Sequence, residues 1–126
     1  MANRNFNQFS LALEKLQVNL FASATIGSTG ACTLVTANSK GIASITRNSA
    51  GNYTIVLQDK YYKFLDFSVT TKNASGVSAA PNVGMISNNM STPSINFVMS
   101  TGGTPTDPAS GDTLYMRITA SNSSAV

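Results

Sequence analysis

Residues 40–72, KGIASITRNSAGNYTIVLQDKYYKFLDFSVTTK, contain the pattern that decides the fold. Two segments with alternating side chains, residues 41–47 and residues 52–58, are separated by residues 48–51 (NSAG), which are residue types that tolerate turn geometry. Successive side chains of a strand point to opposite faces, so the second segment has one apolar face and one mixed face. Its apolar face consists of Tyr53, Ile55 and Leu57, and its mixed face of Thr54, Val56 and Gln58. The pattern predicts a β-hairpin.

A third alternating segment follows the hairpin at residues 64–72. The cluster Lys60-Tyr61-Tyr62-Lys63 interrupts the alternation after Asp59 and predicts a corner. The third segment then places Leu65, Phe67 and Val69 opposite Asp66, Ser68 and Thr70. Three such segments in series predict a three-stranded meander.

The sequence on both sides of these three segments predicts further β-strands. Residues 15–27 predict a long strand whose apolar side consists of Leu16, Val18, Leu20, Ala22, Ala24 and Ile26. Further strands are predicted at residues 31–36, 83–90, 94–99 and 112–120, with loops at residues 73–82 and 101–111. The expected fold is an all-β antiparallel β-sandwich or small barrel of about eight short strands. We expect an N-terminal arm (residues 1–10), one β domain (residues 11–121) and a short tail (residues 122–126).

Charged residues make up only 10% of the 126 positions, where globular domains usually have about 25%. Serine, threonine and asparagine account for 44 residues and suit exposed strand faces and turns more than helices. Charges are also depleted at the centres of protein–protein interfaces. The composition therefore favours β structure, and it is typical of a surface covered by other protein or of a soluble β domain rich in hydroxyl groups.

Several partner classes are disfavoured. The net charge of +3 comes from dispersed Lys and Arg residues, whereas a nucleic-acid interface clusters them on one element. No stretch of about 18 apolar residues predicts a membrane span, and residues 1–21 lack the apolar core of a signal peptide. We therefore expect no nucleic-acid or membrane partner, and synthesis and folding in a reducing cytoplasm.

The sequence offers little that would support catalysis. It has no histidine, so the usual general base is missing, and its single cysteine, Cys32, is expected to be a small buried residue. Asp107 and Asp112 are the acids closest to a pair that would hydrolyse glycosides or bind calcium, but both occupy positions typical of turns. We expect no enzyme activity, no cofactor and no metal.

Two stretches contain a further pattern, GACTLVTANSKGIASITRNSAGNYTIVLQDKYYKFLDFSVT at residues 30–70 and DPASGDTLYMRITASNSSAV at residues 107–126. Its positions are Gly41, Arg47, Gly51, Tyr53, Thr54, Asp59, Tyr61, Leu65, Gly111 and Asn122-Ser123-Ser124. In this pattern the chain resembles a group of small bacteriophage virion proteins. The resemblance implies a capsid decoration, or cement, protein on the virion surface that joins neighbouring major capsid protein subunits.

This implied function assigns expected contacts to particular residues. We expect the arm around Phe6 and Phe9 and the corner Lys60, Tyr61, Tyr62 and Lys63 to contact the capsid. The alternatives are that the phenylalanines dock on their own domain and that the tyrosines pack in the core. A homotrimer is favoured over a dimer. Two other functions stay open: a tail or head-fibre component, and a carbohydrate-binding sandwich that stacks sugars on Tyr53, Tyr61, Tyr62 or Tyr115.

Overall fold

A computed structural model describes residues 16–74 and 81–122 and contains nine β-strands in two antiparallel sheets. The strands are β1 (Gln17–Ile26), β2 (Cys32–Leu34), β3 (Ile42–Ser49), β4 (Asn52–Leu57), β5 (Lys63–Lys72), β6 (Asn82–Asn89), β7 (Ser94–Thr101), β8 (Thr104–Pro105) and β9 (Thr113–Ser121). The first sheet has the order β2-β1-β9-β5 and the second has the order β3-β4-β7-β6, with β8 beside β7. Within these residues only two short 3-10 turns are helical, so the predicted all-β sandwich is confirmed.

The core lies between the inner faces of the two sheets. Tyr53, Ile55 and Leu57, the predicted apolar face of the hairpin, are buried in it. The other most deeply buried members include Ile95, Phe97, Met99, Leu114, Met116 and Ile118, which alternate along β7 and β9. The Tyr53 and Phe97 rings stack with centroids 5.5 Å apart, and Phe67 of the first sheet approaches Phe97 of the second at 5.3 Å. The Tyr53–Phe97 stack lies within the second sheet, and the contact of half-buried Phe67 with buried Phe97 connects the two layers.

The predicted hairpin is confirmed as β3 and β4. Ser49 pairs with Asn52, so the turn consists of Ala50 and Gly51. Gly51 has a φ of 68°, a backbone conformation that glycine adopts at little cost. Its carbonyl oxygen accepts a hydrogen bond from the Met99 N–H at 2.6 Å, which attaches the turn to β7.

The predicted meander is wrong, because β5 belongs to the opposite sheet. The second edge of β4 pairs with β7, and β5 instead pairs with β9 along Lys63 to Lys72. Residues 58–62 carry the chain from one sheet to the other. Alternation shows which side chains of a strand share a face, but it does not show which strand is its neighbour. The sequence pattern therefore could not predict that the chain passes to the other sheet between β4 and β5.

Two leucines are also on faces other than those expected. Leu65 is the extra residue of a β-bulge between Phe64 and Asp66, and its side chain is exposed. Leu16 precedes β1 with a φ of 51° and is 67% exposed. After the bulge, the inner positions of β5 are those of Phe67 and Val69, which pack against the core as predicted.

The strand registers define two ends of the sandwich. At one end, which we call the loop end, the Ala50–Gly51 turn lies near residues 27–31 and residues 102–112. At the other, the terminal end, Gln17 pairs with Ser121 and Ser121 pairs with Lys63. The expected N-terminal arm, with Phe6 and Phe9, lies outside the described residues, as do most of the tail and the residues just before Leu16.

Candidate functional site

The terminal end carries a shallow pocket of about 230 Å³ lined by Lys60, Tyr61, Tyr62 and Asn122. We call these four residues the tyrosine corner; the name denotes this pocket and not the tyrosine-corner motif of immunoglobulin-like sandwiches. The crossing from β4 to β5 positions the first three, because the Tyr62 N–H donates a hydrogen bond to the carbonyl oxygen of Ser121 at 3.0 Å. That bond fixes the crossing against the end of β9 and brings Asn122 beside the tyrosines.

The two tyrosines of the corner have different environments. Tyr61 packs against the hydrophobic core, and burial together with the nearby Asp59 carboxylate raises its pKa. Tyr62 is 68% exposed and is the most exposed large apolar side chain among the described residues. Tyr61 therefore stabilises the corner, whereas Tyr62 presents an aromatic ring to solvent.

The lysines of the predicted contact set also differ. Lys60 is exposed in the crossing, and Lys63 is half-buried as the first residue of β5. The sequence predicted capsid contact for Lys60, Tyr61, Tyr62 and Lys63. The side chains of Lys60 and Tyr62 are exposed to solvent, whereas those of Tyr61 and Lys63 are half-buried in the domain. Packing of the tyrosines, the alternative reading, is found for Tyr61 and not for Tyr62.

The described chain begins and ends beside this corner. The carbonyl oxygen of Leu16 accepts a hydrogen bond from the Asn122 N–H at 3.1 Å, and Asn122 also lines the pocket. Leu16, the first described residue, therefore lies at the same end of the domain as Tyr62. Phe6 and Phe9 precede Leu16 in the sequence and lie outside the described residues.

The loop end contains a polar cluster around Asp107 that sequence reasoning did not predict. The Asp107 carboxylate accepts hydrogen bonds from the Arg47 guanidinium, from the Gly51 N–H at 2.8 Å and from the Tyr53 hydroxyl at 2.9 Å. The Tyr53 hydroxyl also lies 3.0 Å from the carbonyl oxygen of Gly30. Burial and the Asp107 carboxylate raise the pKa of Tyr53, and the Arg47 hydrogen bond lowers the pKa of Asp107 to about 2.

This cluster gives a physical reason for part of the resemblance pattern. Arg47, Gly51 and Tyr53 are pattern positions, and all three converge on Asp107. The signal in the sequence was an arginine at the end of a strand in a chain with few charges. Asp107 was interpreted as a turn residue because its partners lie more than fifty positions away.

Asp112 has a similar structural role and is 2% exposed. Its carboxylate accepts hydrogen bonds from the N–H groups of Ala74 and Ala109 and from the Asn73 amide. Protein donors therefore occupy the carboxylates of both acids considered for calcium or glycoside chemistry. Across residues 16–74 and 81–122, no group of three or more His, Cys, Asp or Glu side chains is arranged to bind a metal ion.

A second surface feature is a groove of about 300 Å³ on the outer face of the first sheet. It is lined by Phe21, Ser68, Thr70, Tyr115, Met116 and Arg117. Phe21 is 50% exposed and Tyr115 is 46% exposed, so two aromatic rings border a strip of hydroxyl groups and a guanidinium. Phe21 and Tyr115 line the same groove because β1 pairs with β9.

Comparison with known proteins did not identify a relative: no family model, curated protein or solved structure matched this chain. In the described part of the chain, no helix is long and apolar enough to cross a membrane.

Proposed function

We propose that this chain is a capsid decoration protein that binds the outer surface of a phage head and stabilises contacts between major capsid protein subunits. The observation that carries the proposal is the tyrosine corner, where an exposed aromatic ring and a lysine lie at the same end of the domain as Leu16, the first described residue. The virion pattern in the sequence supplies the class of partner.

The corner has the composition of an anchor for another protein. Aromatic residues dominate the binding energy of many interfaces, because they bury a large area with few rotatable bonds. Tyr62 is held by its backbone hydrogen bond to Ser121, so little backbone order has to be gained on binding. A partner that covers Tyr62 would therefore gain apolar contact from a preformed surface.

The rest of the surface also suits repeated contact with a shell. The exposed strand faces present hydroxyl and amide groups and few charges, so that covering them does not require the burial of many unpaired ions. A copy that touches the shell at several points holds each contact near its partner when another one opens. Several weak contacts can therefore keep the protein bound to the capsid. The proposed function therefore does not require one large, tight site.

The test is the location and copy number of the chain in purified particles of the phage that encodes it. We expect a fixed ratio to the major capsid protein by quantitative mass spectrometry, and additional density on the shell lattice by cryo-electron microscopy. Density only at the tail or at one vertex would instead indicate a tail or head-fibre component. Particles that lack the chain would refute both assignments.

The groove on the outer face of the first sheet favours a second candidate, a carbohydrate-binding domain. Aromatic rings stack on the apolar faces of sugars, and the Ser68, Thr70 and Arg117 side chains offer hydrogen-bond donors beside Phe21 and Tyr115. Tyr53, one of the tyrosines first considered for this role, is fully buried and is excluded from it. A glycan array with the purified domain tests this candidate, and an array without signal would remove it.

A further inference from the structure

Strand β6 differs from every other long strand in the described part of the chain. All eight of its residues, Asn82–Asn89, are exposed, and none carries a charge. It is the last strand of the second sheet, and among residues 16–74 and 81–122 only β7 pairs with it. Within this part of the chain its outer edge is therefore unpaired, and another strand can add to its backbone N–H and C=O groups.

The other sheet edges carry features that discourage such pairing. Strand β5 contains Lys63, Asp66 and Lys72 and a bulge at Leu65. Strand β3 contains Arg47 and two irregularities in its register, and β2 has only three residues. Charges, bulges and short length are the usual protections of sheet edges. Strand β6 has no charged residue and is eight residues long, so it lacks two of these three protections.

The inner face of β6 carries apolar side chains that the domain does not cover. Val83 pairs with Met99 and Met85 pairs with Phe97, and both of those partners are fully buried. Directly opposite residues share a face, so Val83 and Met85 point to the core side of the sheet. They nevertheless remain 37% and 42% exposed, because the core does not extend over this edge.

Gly84, which lies between these two residues, is not required by the fold of the isolated domain. Its φ is not positive, and a Cβ atom there would meet only Val98 Cγ1 at an ordinary distance of 3.8 Å. Glycine inside a strand weakens it and often marks a place where another backbone approaches. The register irregularity of β6 begins only after Met85, so Asn82 to Met85 form a regular edge.

We propose that the edge of β6 pairs with β6 of a second copy of this chain, in antiparallel orientation about a two-fold axis at Gly84. In this register Val83 of each copy lies opposite Met85 of the other, so these two exposed residues of the inner face cover each other twice. The strand has no charge, so no like charges meet across the axis. The pairing extends each second sheet into a continuous sheet across both copies.

This symmetry has a consequence for the assembly. A two-fold contact uses the same surface on both copies and is complete with two of them. The surface therefore produces a dimer, whereas the sequence alone favoured a trimer. The interface does not depend on the proposed capsid binding, and the tyrosine corner belongs to a different part of the surface.

Sedimentation velocity across a concentration series tests the interface. We expect the dimer fraction of the full-length chain to rise with concentration, and the double variant Val83→Lys/Met85→Lys to dissociate at least about tenfold more readily, because it places lysines opposite one another. The matched control is Val56→Lys, since Val56 is also 37% exposed but lies in β4, between β3 and β7. A wild-type chain that stays monomeric, or a double variant that dimerises as well as wild type, overturns the proposal.

A cross-linking experiment tests the register. In a Cys32→Ser background, Gly84→Cys places two thiols opposite each other at the axis, so mild oxidation is expected to give a covalent dimer. Asn88→Cys, further along the same strand, is the control and is expected to remain unlinked. Cross-linking at position 88 and not at position 84 overturns the register. Loss of dimerisation after deletion of residues 1–15, with β6 intact, overturns the assignment of β6 as the partner strand.

Discussion

Arg47 and Asp107 form a bidentate ion pair that joins the β3–β4 hairpin to the loop before β9. Arg47 Nε lies 3.0 Å from Asp107 Oδ1, and Arg47 Nη2 lies 2.7 Å from Asp107 Oδ2. The same carboxylate accepts hydrogen bonds from the Gly51 N–H and the Tyr53 hydroxyl. One side chain therefore fixes the hairpin turn, its second strand and a distant loop in a single arrangement.

Replacing Asp107 with asparagine is expected to destabilise the domain. The Asp107→Asn substitution removes the charge that Arg47 faces and replaces an acceptor oxygen with an amide donor. Hydrogen bonds to charged groups contribute more than neutral ones, and we expect a loss of about 2 kcal/mol in the free energy of unfolding. Urea denaturation followed by circular dichroism measures this change.

Asp66→Asn is the matched control for this experiment. Asp66 Oδ2 lies 3.8 Å from Arg117 Nη2, and both side chains are more than half exposed. Exposed ion pairs contribute little, so we expect a change within about 0.5 kcal/mol. Equal losses in the two variants would show that the Arg47–Asp107 pair has no special structural role.

The Asp107 carboxylate is expected to contribute less to the free energy of unfolding in acid. Arg47, the Gly51 N–H and the Tyr53 hydroxyl lower the pKa of folded Asp107 to about 2, from an ordinary value of 3.8. A pKa that is lower in the folded state stabilises the fold above the unfolded value, and this contribution is lost as the pH falls through the folded value. The stability difference between wild type and Asp107→Asn should therefore shrink between about pH 4 and pH 2. Urea denaturation at a series of pH values tests this, and a constant difference would contradict it.

Alanine substitutions at two turn glycines distinguish the cost of backbone strain from the cost of steric overlap. Gly51 and Gly102 both have positive φ values, 68° and 59°. A Cβ atom on Gly51 would overlap the Met99 carbonyl oxygen and the Thr106 N–H, whereas one on Gly102 would meet nothing within 4 Å. We expect Gly102→Ala to cost about 1 kcal/mol and Gly51→Ala at least about 2 kcal/mol more. Similar thermal denaturation midpoints for the two variants would contradict this.

The sequence predicted the faces of the strands better than their neighbours. Alternation identified Tyr53, Ile55 and Leu57 as one apolar face, and all three are buried, because burial of one strand face imposes a period of two. It did not reveal that β5 pairs with β9, or that the bulge at Leu65 moves that side chain outward. Strand pairing depends on contacts between distant parts of the chain, which a local pattern does not contain.

The candidate site was only partly predictable for a related reason. The interruption of alternation at residues 59–63 correctly indicated a corner, but adjacent tyrosines outside a regular strand have no period that assigns one inward and one outward. The hydrogen bond from Tyr62 to Ser121 and the packing of Tyr61 make that assignment. The Asp107 cluster was missed because Asp107 lies more than fifty positions after its partners Arg47, Gly51 and Tyr53 in the β3–β4 hairpin.

Cys32 is expected to react slowly in the folded protein. It packs against the core, and burial raises the pKa of its thiol to about 11 from an ordinary value of 9.0. The thiolate is the reactive form, so alkylation by iodoacetamide at pH 8 should be at least about tenfold slower than in the chain unfolded by guanidinium. Mass spectrometry of the alkylated protein measures both rates, and equal rates would show that burial does not protect the thiol.

Tyr62→Ala tests the tyrosine corner with Tyr115→Ala as the matched control. Both tyrosines are exposed, Tyr62 at the corner and Tyr115 in the groove on the outer face of the first sheet. We expect both variants to keep the free energy of unfolding within about 0.5 kcal/mol of wild type, because neither side chain is buried. If the corner binds the capsid, Tyr62→Ala should bind purified particles about tenfold more weakly, the loss typical of an aromatic anchor, while Tyr115→Ala binds normally. Unchanged binding of Tyr62→Ala in a sedimentation assay, with loss in Tyr115→Ala, would move the contact to the groove.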